Sequence, residues 1–249
     1  MASKKRIFGL DYTLVTILVF AVLLTAAAFL LGKYMTEVEY LKKINSLQTV
    51  NASLASGTTN NTTGQVSTVP LINDSDHVRG SRNAPVVIYE YADLECPFCK
   101  QFHPILEKAL ADYGDKVAWV WRQYPLTIHA NAQKEAEASE CVNEIGGVEK
   151  FWQFVDKVFQ RTTSNGTGFS LDKLAPLAGE IGVDQAKFSA CFDSGKYAQA
   201  IKDDIDTANK IGISATPGNV IVGKDKKPKY MPGAMPYEKL KQAIDDALK

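Results

Sequence analysis

The chain has 249 residues, 45% of them apolar and 22% charged, with 28 lysines and arginines balanced by 28 aspartates and glutamates. That balance fits a globular protein of one large domain plus appendages, or two small domains, and it excludes the basic footprint of a nucleic-acid binder. The average conceals an N-terminus of different character.

Residues 12–32, "YTLVTILVFAVLLTAAAFLLG", carry no charge. As a helix at ~1.5 Å per residue this run spans about 31 Å, the thickness of a ~30 Å hydrocarbon core. Lys4, Lys5 and Arg6 precede it and favour a cytoplasmic N-terminus, a bias weakened by Lys33, Lys42 and Lys43 on the other side. The run exceeds the ~7–15 residues of a cleaved signal's core, and Ala26–Ala28 are followed by more apolar residues. The expectation is a cytoplasmic n-region over 1–11 and an uncleaved transmembrane signal-anchor over 12–32. The chain would be a single-pass protein of the cell membrane, its remainder extracytoplasmic. Residues 33–75 read as a juxtamembrane helix followed by a polar spacer rich in Ser, Thr, Asn and Gly, without periodicity.

A folded domain is expected over 76–249. "APVVIYEYAD" (84–93) is a dense β-branched and aromatic run, as in a strand buried on both faces of a partly parallel sheet. A helix follows from Pro97 to about Asp112, then a second strand in "KVAWVWRQYPL" (116–126), completing a strand–helix–strand unit. A helical insertion is expected over about 128–212, interrupted at Gly146–Gly147, with Ser170 and Asp184 as N-caps. Two short strands, "NVIVG" and "KPKYMPG", and a last helix close the domain. The class is α/β, around a central mixed sheet.

The chemistry gathers at "LECPFCKQF" (94–102). Cys96 and Cys99 follow a strand and open a helix, a context for redox work. Unpaired N–H groups at the helix start stabilise a thiolate on Cys96, and Pro97 fits the first turn, where its missing N–H costs nothing. One turn on, Cys99 faces back toward Cys96 and is the more buried. Cys96 is therefore the attackable sulfur and Cys99 the resolving one. Zinc would need two further ligands, and Cys141 and Cys191 lie about 50 residues apart with no second C-x-x-C. Those two cysteines read either as buried free thiols or, in an oxidising compartment, as a structural disulfide stapling the helical block. Thr216-Pro217, opening a late strand, suits a cis bond that exposes backbone to a partner.

From about His77 onward the chain resembles the DsbA-like thiol:disulfide oxidoreductases of the thioredoxin superfamily. The resemblance rests on "APVVIYEYADLECPFCKQFHP", "YPLTIHANAQKEAEASECVNEIGG", "FSACFDSG", "ISATPGNVIVG" and "MPGAMPYEKLKQAIDDAL", in that order. It implies a thioredoxin-like fold with a helical insertion. Cys96 would be the nucleophile, Cys99 its partner and Pro217 the cis-proline, with Pro97, Phe98 and Thr216 meeting substrate. Glu90 corresponds to the family's buried acid; a carboxyl on a buried strand has a raised pKa and can accept a proton from Cys99, whereas on an exposed strand face it would only meet solvent. Relatives with a second disulfide resemble this chain at Cys141 and Cys191.

The resemblance further implies oxidation of unfolded or reduced translocated proteins, reoxidation by a membrane quinone-linked partner of the DsbB or VKOR type, and no cofactor beyond the redox-active cysteines. An anchored reductase or isomerase is the alternative direction; a non-enzymatic zinc-binding or adaptor domain is the alternative class. Phe98 stands where the strongest oxidases carry histidine, and Glu95 beside Cys96 is expected to oppose ionisation. Both place the Cys96 pKa above the ~3.5 of the extreme oxidant and nearer the ~7 of thioredoxin. His77 and His129 read as structural, and nothing calls for a metal. Gly218 and Asn219 replace bulkier residues of the family and put substrate contacts there in doubt.

Overall fold

The structure is a computed structural model; it describes Arg6–Ile7, Leu10–Asp11, Val66 and residues 68–249. Two units separate, Met1–Thr62 and Thr63–Lys249. In the first, β1 (Arg6–Ile7) and β2 (Leu10–Asp11) pair antiparallel. The expected membrane span over 12–32, and the juxtamembrane stretch as far as residue 65, lie outside the described residues. Among the described residues, no helix is long and apolar enough to cross a membrane.

The second unit holds a five-stranded sheet in the order β3-β5-β4-β6-β7. Its strands are β3 (His77–Gly80), β4 (Val86–Ala92), β5 (Val117–Gln123), β6 (Gly218–Val222) and β7 (Pro228–Pro232). Only β4 and β5 run parallel; every other neighbour is antiparallel. Helix α1 (Pro97–Tyr113) makes the crossover between that parallel pair. The four residues of β3 escaped the sequence reading, because a strand so short offers almost no alternation to detect. Ahead of it, Val66 is buried and Val69 and Ile72 pack around the same apolar cluster, so chain before residue 76 already belongs to the folded unit.

Strand alternation divides the core. Val86, Ile88 and Ala92 face one cluster with Trp119 and Trp121, against α1, the insertion and α6 (Tyr237–Ala247). Tyr89 and Tyr91 face the other with Val120 and Val220. Period 2 then fixes where Glu90 points: with Ile88 and Ala92, into the first and larger core. Helix α1 buries Cys99, Phe102, His103, Leu106 and Ala109 along one stripe, at roughly 1.5–3 kcal/mol for each large apolar side chain.

The insertion comprises α2 (Ala132–Arg161), α3 (Leu174–Glu180), α4 (Gln185–Ser194) and α5 (Ala198–Lys210). α2 is broken at Gly147, whose φ of 78° leaves the helical region, so the double glycine ends one helix where expected. Asp184 caps α4, accepting from Ala186 N at 2.9 Å and Lys187 N at 3.0 Å. Ser170 makes no such cap; its hydroxyl turns to Asp172 instead. Cys141 on α2 and Cys191 on α4 are bridged, S–S 2.03 Å.

Candidate active site

Beyond Ala92 the chain leaves β4 and turns into α1. Cys96 stands at the N-cap with extended backbone (φ −77°, ψ 121°), and Pro97 occupies the first turn. Cys96 and Cys99 are unbridged thiols. Cys99 is fully buried and Cys96 only 3% exposed, so the expected order of burial holds with little contrast.

Ionisation separates the two sulfurs far more. A hydrogen bond from the Cys99 thiol, together with Thr216 and the N–H groups of Cys99 and Phe98, outweighs burial and brings the Cys96 thiol down to about 6. The Thr216 hydroxyl itself is buried without a hydrogen-bond partner; the Cys96 sulfur meets the Thr216 carbonyl instead. Burial, the proton shared with Cys96 and the charge of Glu90 push the Cys99 thiol well above the ordinary thiol range. The pair therefore holds one ready thiolate and one thiol that ionises only with help.

That help is adjacent. Glu90 is fully buried; one carboxyl oxygen accepts from Trp119 Nε1 at 3.0 Å and the other has no partner. Burial, opposed by the Trp119 bond and reinforced by charge at Cys96, raises it to about 8. The solvent-facing alternative for Glu90 is excluded.

The Thr216–Pro217 bond is cis, and the Cys96 sulfur lies 3.5 Å from the Thr216 carbonyl oxygen, joining segments far apart in the chain. Phe98 is 58% exposed beside this edge of α1, and Pro97 is half-buried. Gly218 is fixed by space: a β-carbon there would sit 2.7 Å from Ile213 Cγ2. Asn219 lies directly opposite Glu90 and is buried, its amide donating to Met231 O (3.1 Å) and Gly233 O (3.2 Å).

Glu95 requires a correction. Its side chain is fully buried and its carboxylate accepts from the N–H groups of Gly166, Gly168 and Phe169, each at 2.8 Å. Burial alone would raise it; the hydrogen bonds from Glu135 and those three N–H groups overcome that and hold it below the usual carboxylate range. The carboxylate is held as an anion by donors of the insertion, and the main influences on the Cys96 thiol are others: Cys99, burial, Thr216 and the N–H groups of Cys99 and Phe98.

The histidines serve the framework. His103 Nε2 lies 2.7 Å from Asp156, His77 Nε2 lies 2.8 Å from Glu140, and His129 Nδ1 lies 2.7 Å from Asp93. The one candidate metal cluster among the described residues, His103, Glu107 and Asp156, already has Arg79 on both carboxylates at 3.3 and 2.7 Å. Sequence reasoning missed Asp93 and Glu135. Asp93 accepts from Glu95 N and Leu126 N, both at 2.8 Å, and burial raises it. The available signal for Glu135 was its place among Ala132, Ala136 and Ser139 on a small-residue face of α2.

The thioredoxin family model matches residues 73–246, and the chain belongs to that family. Within it the chain groups with the DsbA-like thiol:disulfide oxidoreductases. The crystal structure of Pseudomonas aeruginosa DsbA2 is 33% identical with a TM-score of 0.59, the match covering 72% of this chain and 95% of that one. Wolbachia pipientis alpha-DsbA1 is 27% identical with a TM-score of 0.60, covering 71% and 92%. Among curated proteins, the Na(+)/H(+) antiporter NhaA 3 of Salinispora tropica is 36% identical over 162 residues, covering 63% of this chain and 23% of the antiporter. The chain thus spans about a quarter of the length of the curated relatives it matches.

Proposed function

We propose that this protein is a membrane-anchored, extracytoplasmic disulfide oxidase that acts on translocated proteins through Cys96-Pro-Phe-Cys99. The observation that carries the reading is the unequal thiol pair: Cys96 brought down to about 6 at the start of α1, beside Thr216 and above a buried Glu90. The apolar run over 12–32 supports the anchor.

In the oxidising cycle a substrate thiolate attacks Sγ of Cys96 in the Cys96–Cys99 disulfide. The sulfur–sulfur bond breaks, Cys99 leaves as thiolate, and a mixed disulfide forms. A second substrate thiolate then displaces Cys96. The substrate loses two electrons and two protons and the enzyme becomes a dithiol. Glu90 exchanges a proton with Cys99 as that sulfur changes state. Extended substrate backbone lies along the Thr216–Pro217 edge, with Pro97 and Phe98 flanking it. A membrane quinone-linked partner of the DsbB or VKOR type removes the two electrons, and the anchor keeps the domain near it; a spacer of about 30 residues reaches roughly 30 Å. No separate cofactor is required.

The opposite direction, an anchored reductase or isomerase, has one observation in its favour: a Cys96 pKa of about 6 lies nearer the ~7 of thioredoxin than the ~3.5 of the extreme oxidant. Trapping the thiols in intact cells decides between them. Cys96–Cys99 found mostly bridged supports the oxidase; mostly dithiol supports the reductase. Stoichiometric zinc in the purified protein would overturn both in favour of a binding module.

A further inference from the structure

Residues 162–169 of the insertion close over the chain that leads into Cys96. Ser164 and Asn165 both have φ of 64° and Gly166 has φ of 99°. Left-handed backbone is unfavourable for a non-glycine residue such as Ser164 and better tolerated by Asn165. A β-carbon on Gly166 would lie 2.9 Å from His129 Cα, so that position is closed to side chains as well. The turn brings the N–H groups of Gly166, Gly168 and Phe169 to one point and builds an anion nest. The anion inside belongs to the protein itself: the Glu95 carboxylate, held by three N–H groups at 2.8 Å and by Thr162 Oγ1 at 3.3 Å. Asn165 N also donates to the Glu95 carbonyl at 2.8 Å. From α1, Lys100 reaches Thr162 O.

Beneath Glu95 lies Glu135 of α2, fully buried, with no N–H or hydroxyl partner on either carboxyl oxygen. Two carboxylates side by side in a dry site do not both ionise. Burial first, then the hydrogen bond and charge of Glu95 and the charge of Asp93, push Glu135 up to about 10. Of the two acids it is the one that can carry a proton toward Glu95, whose carboxylate is already anchored by N–H donors. Asp93, tied to His129, holds the N–H of Glu95 from the other side.

We infer that the Glu95–Glu135 acid pair is a latch by which the helical insertion fixes the backbone of the nucleophile Cys96, making Glu135 a positioning residue for thiol–disulfide exchange. The inference rests on the exchange activity proposed above. Its logic is geometric: the N–H groups of Phe98 and Cys99 support the Cys96 sulfur only while Cys96 keeps its N-cap conformation, and its immediate neighbour is the residue the insertion grips.

The test uses the full-length chain carrying Glu135→Ala, Glu135→Gln or Glu95→Gln. The readouts are thiolate absorbance of Cys96 against pH, the equilibrium constant with glutathione, and amide exchange at Gly166, Gly168 and Phe169. Glu135→Ala should speed those amides and lower the Cys96 thiolate fraction at neutral pH and below; Glu135→Gln, which still donates to Glu95, should stay within about twofold of wild type. Glu95→Gln discriminates by sign. Removing a neighbouring charge would by simple Coulomb reasoning lower the Cys96 pKa, whereas a loosened latch raises it. A lowered or unchanged value in Glu95→Gln, or a Glu135→Ala protein that is merely less stable with wild-type Cys96 titration, overturns the latch. Should Glu135→Ala fail to fold, Glu95→Gln alone decides by that sign. Absence of glutathione exchange in the wild type would instead overturn the proposed function, while the thiol titrations would still decide the latch.

Discussion

The two cysteine pairs of this protein have opposite designs. Cys96 and Cys99 are neighbours on one helical turn and are free thiols in this structure; Cys141 and Cys191 are separated by 50 positions and are joined. The first pair sits where α1 begins, with N–H groups, Thr216 and a buried acid arranged so that its two sulfurs ionise differently. The second sits in the insertion and joins two of its helices. Closing a long loop restricts the unfolded chain strongly and stabilises the fold. Closing a short one stabilises little and leaves the bond free to open and close with the chemistry. Loop length and surroundings thus suit the first pair to the proposed turnover and the second to the framework.

Exchanging sulfur for oxygen in each pair tests that assignment. Cys96→Ser should abolish thiol–disulfide exchange, by at least about 1000-fold since no other nucleophile replaces it, with the unfolding midpoint of the reduced protein little changed. An insulin or glutathione exchange assay checks the first part and a denaturant titration the second; residual activity near wild type would break the comparison. Replacing Cys141 and Cys191 together with serine should show the converse. A loop of this length implies a loss of about 4 kcal/mol on the chain-entropy account, read as a lower midpoint in denaturant, while the Cys96 titration stays near 6. A large shift in that titration would mean that the second pair also tunes the first.

Glu90→Gln sharpens the picture with a smaller effect. The steps that move the Cys99 proton should slow by on the order of 100-fold, seen in stopped-flow kinetics as a slower release of mixed disulfide. Stability carries a second signature. Glu90 is raised in the folded state, to about 8 from an ordinary 4.5. Its protonated form therefore contributes stability that is fully present below about pH 4.5 and lost as pH rises through about 8. Wild type should lose stability relative to Glu90→Gln across that window, by at most about 1.4 kcal/mol per pH unit. Parallel curves for the two proteins would remove Glu90 from the proton inventory.

Much of the fold was legible because it is written locally. The run from Ala84 to Asp93 could hardly be anything but a buried strand, the paired glycines 146 and 147 ended a helix, and Asp184 capped the next. Cys96 and Cys99 were legible for the same reason: spacing, a preceding strand and a following helix suffice to orient two sulfurs. Strand β3 was not, being too short for its pattern to register. Neither was the role of Glu95. By sequence it is a negative charge beside a thiol, yet its carboxylate turns away into N–H groups supplied by residues 166–169, which nothing in "LECPFC" could disclose.

The sequence by itself determined the α/β class, the placing of Cys96 and Cys99 one turn apart at a helix start, and the uncharged stretch over 12–32, because propensity, periodicity and spacing act within a few residues. Only the tertiary structure decided the rest. It brought Thr216 to 3.5 Å from Cys96, buried Glu90 under the thiols, bridged Cys141 to Cys191 and set Glu135 against Glu95. Each of these depends on distance and desolvation between segments remote in the chain, and those quantities exist only once the chain has packed.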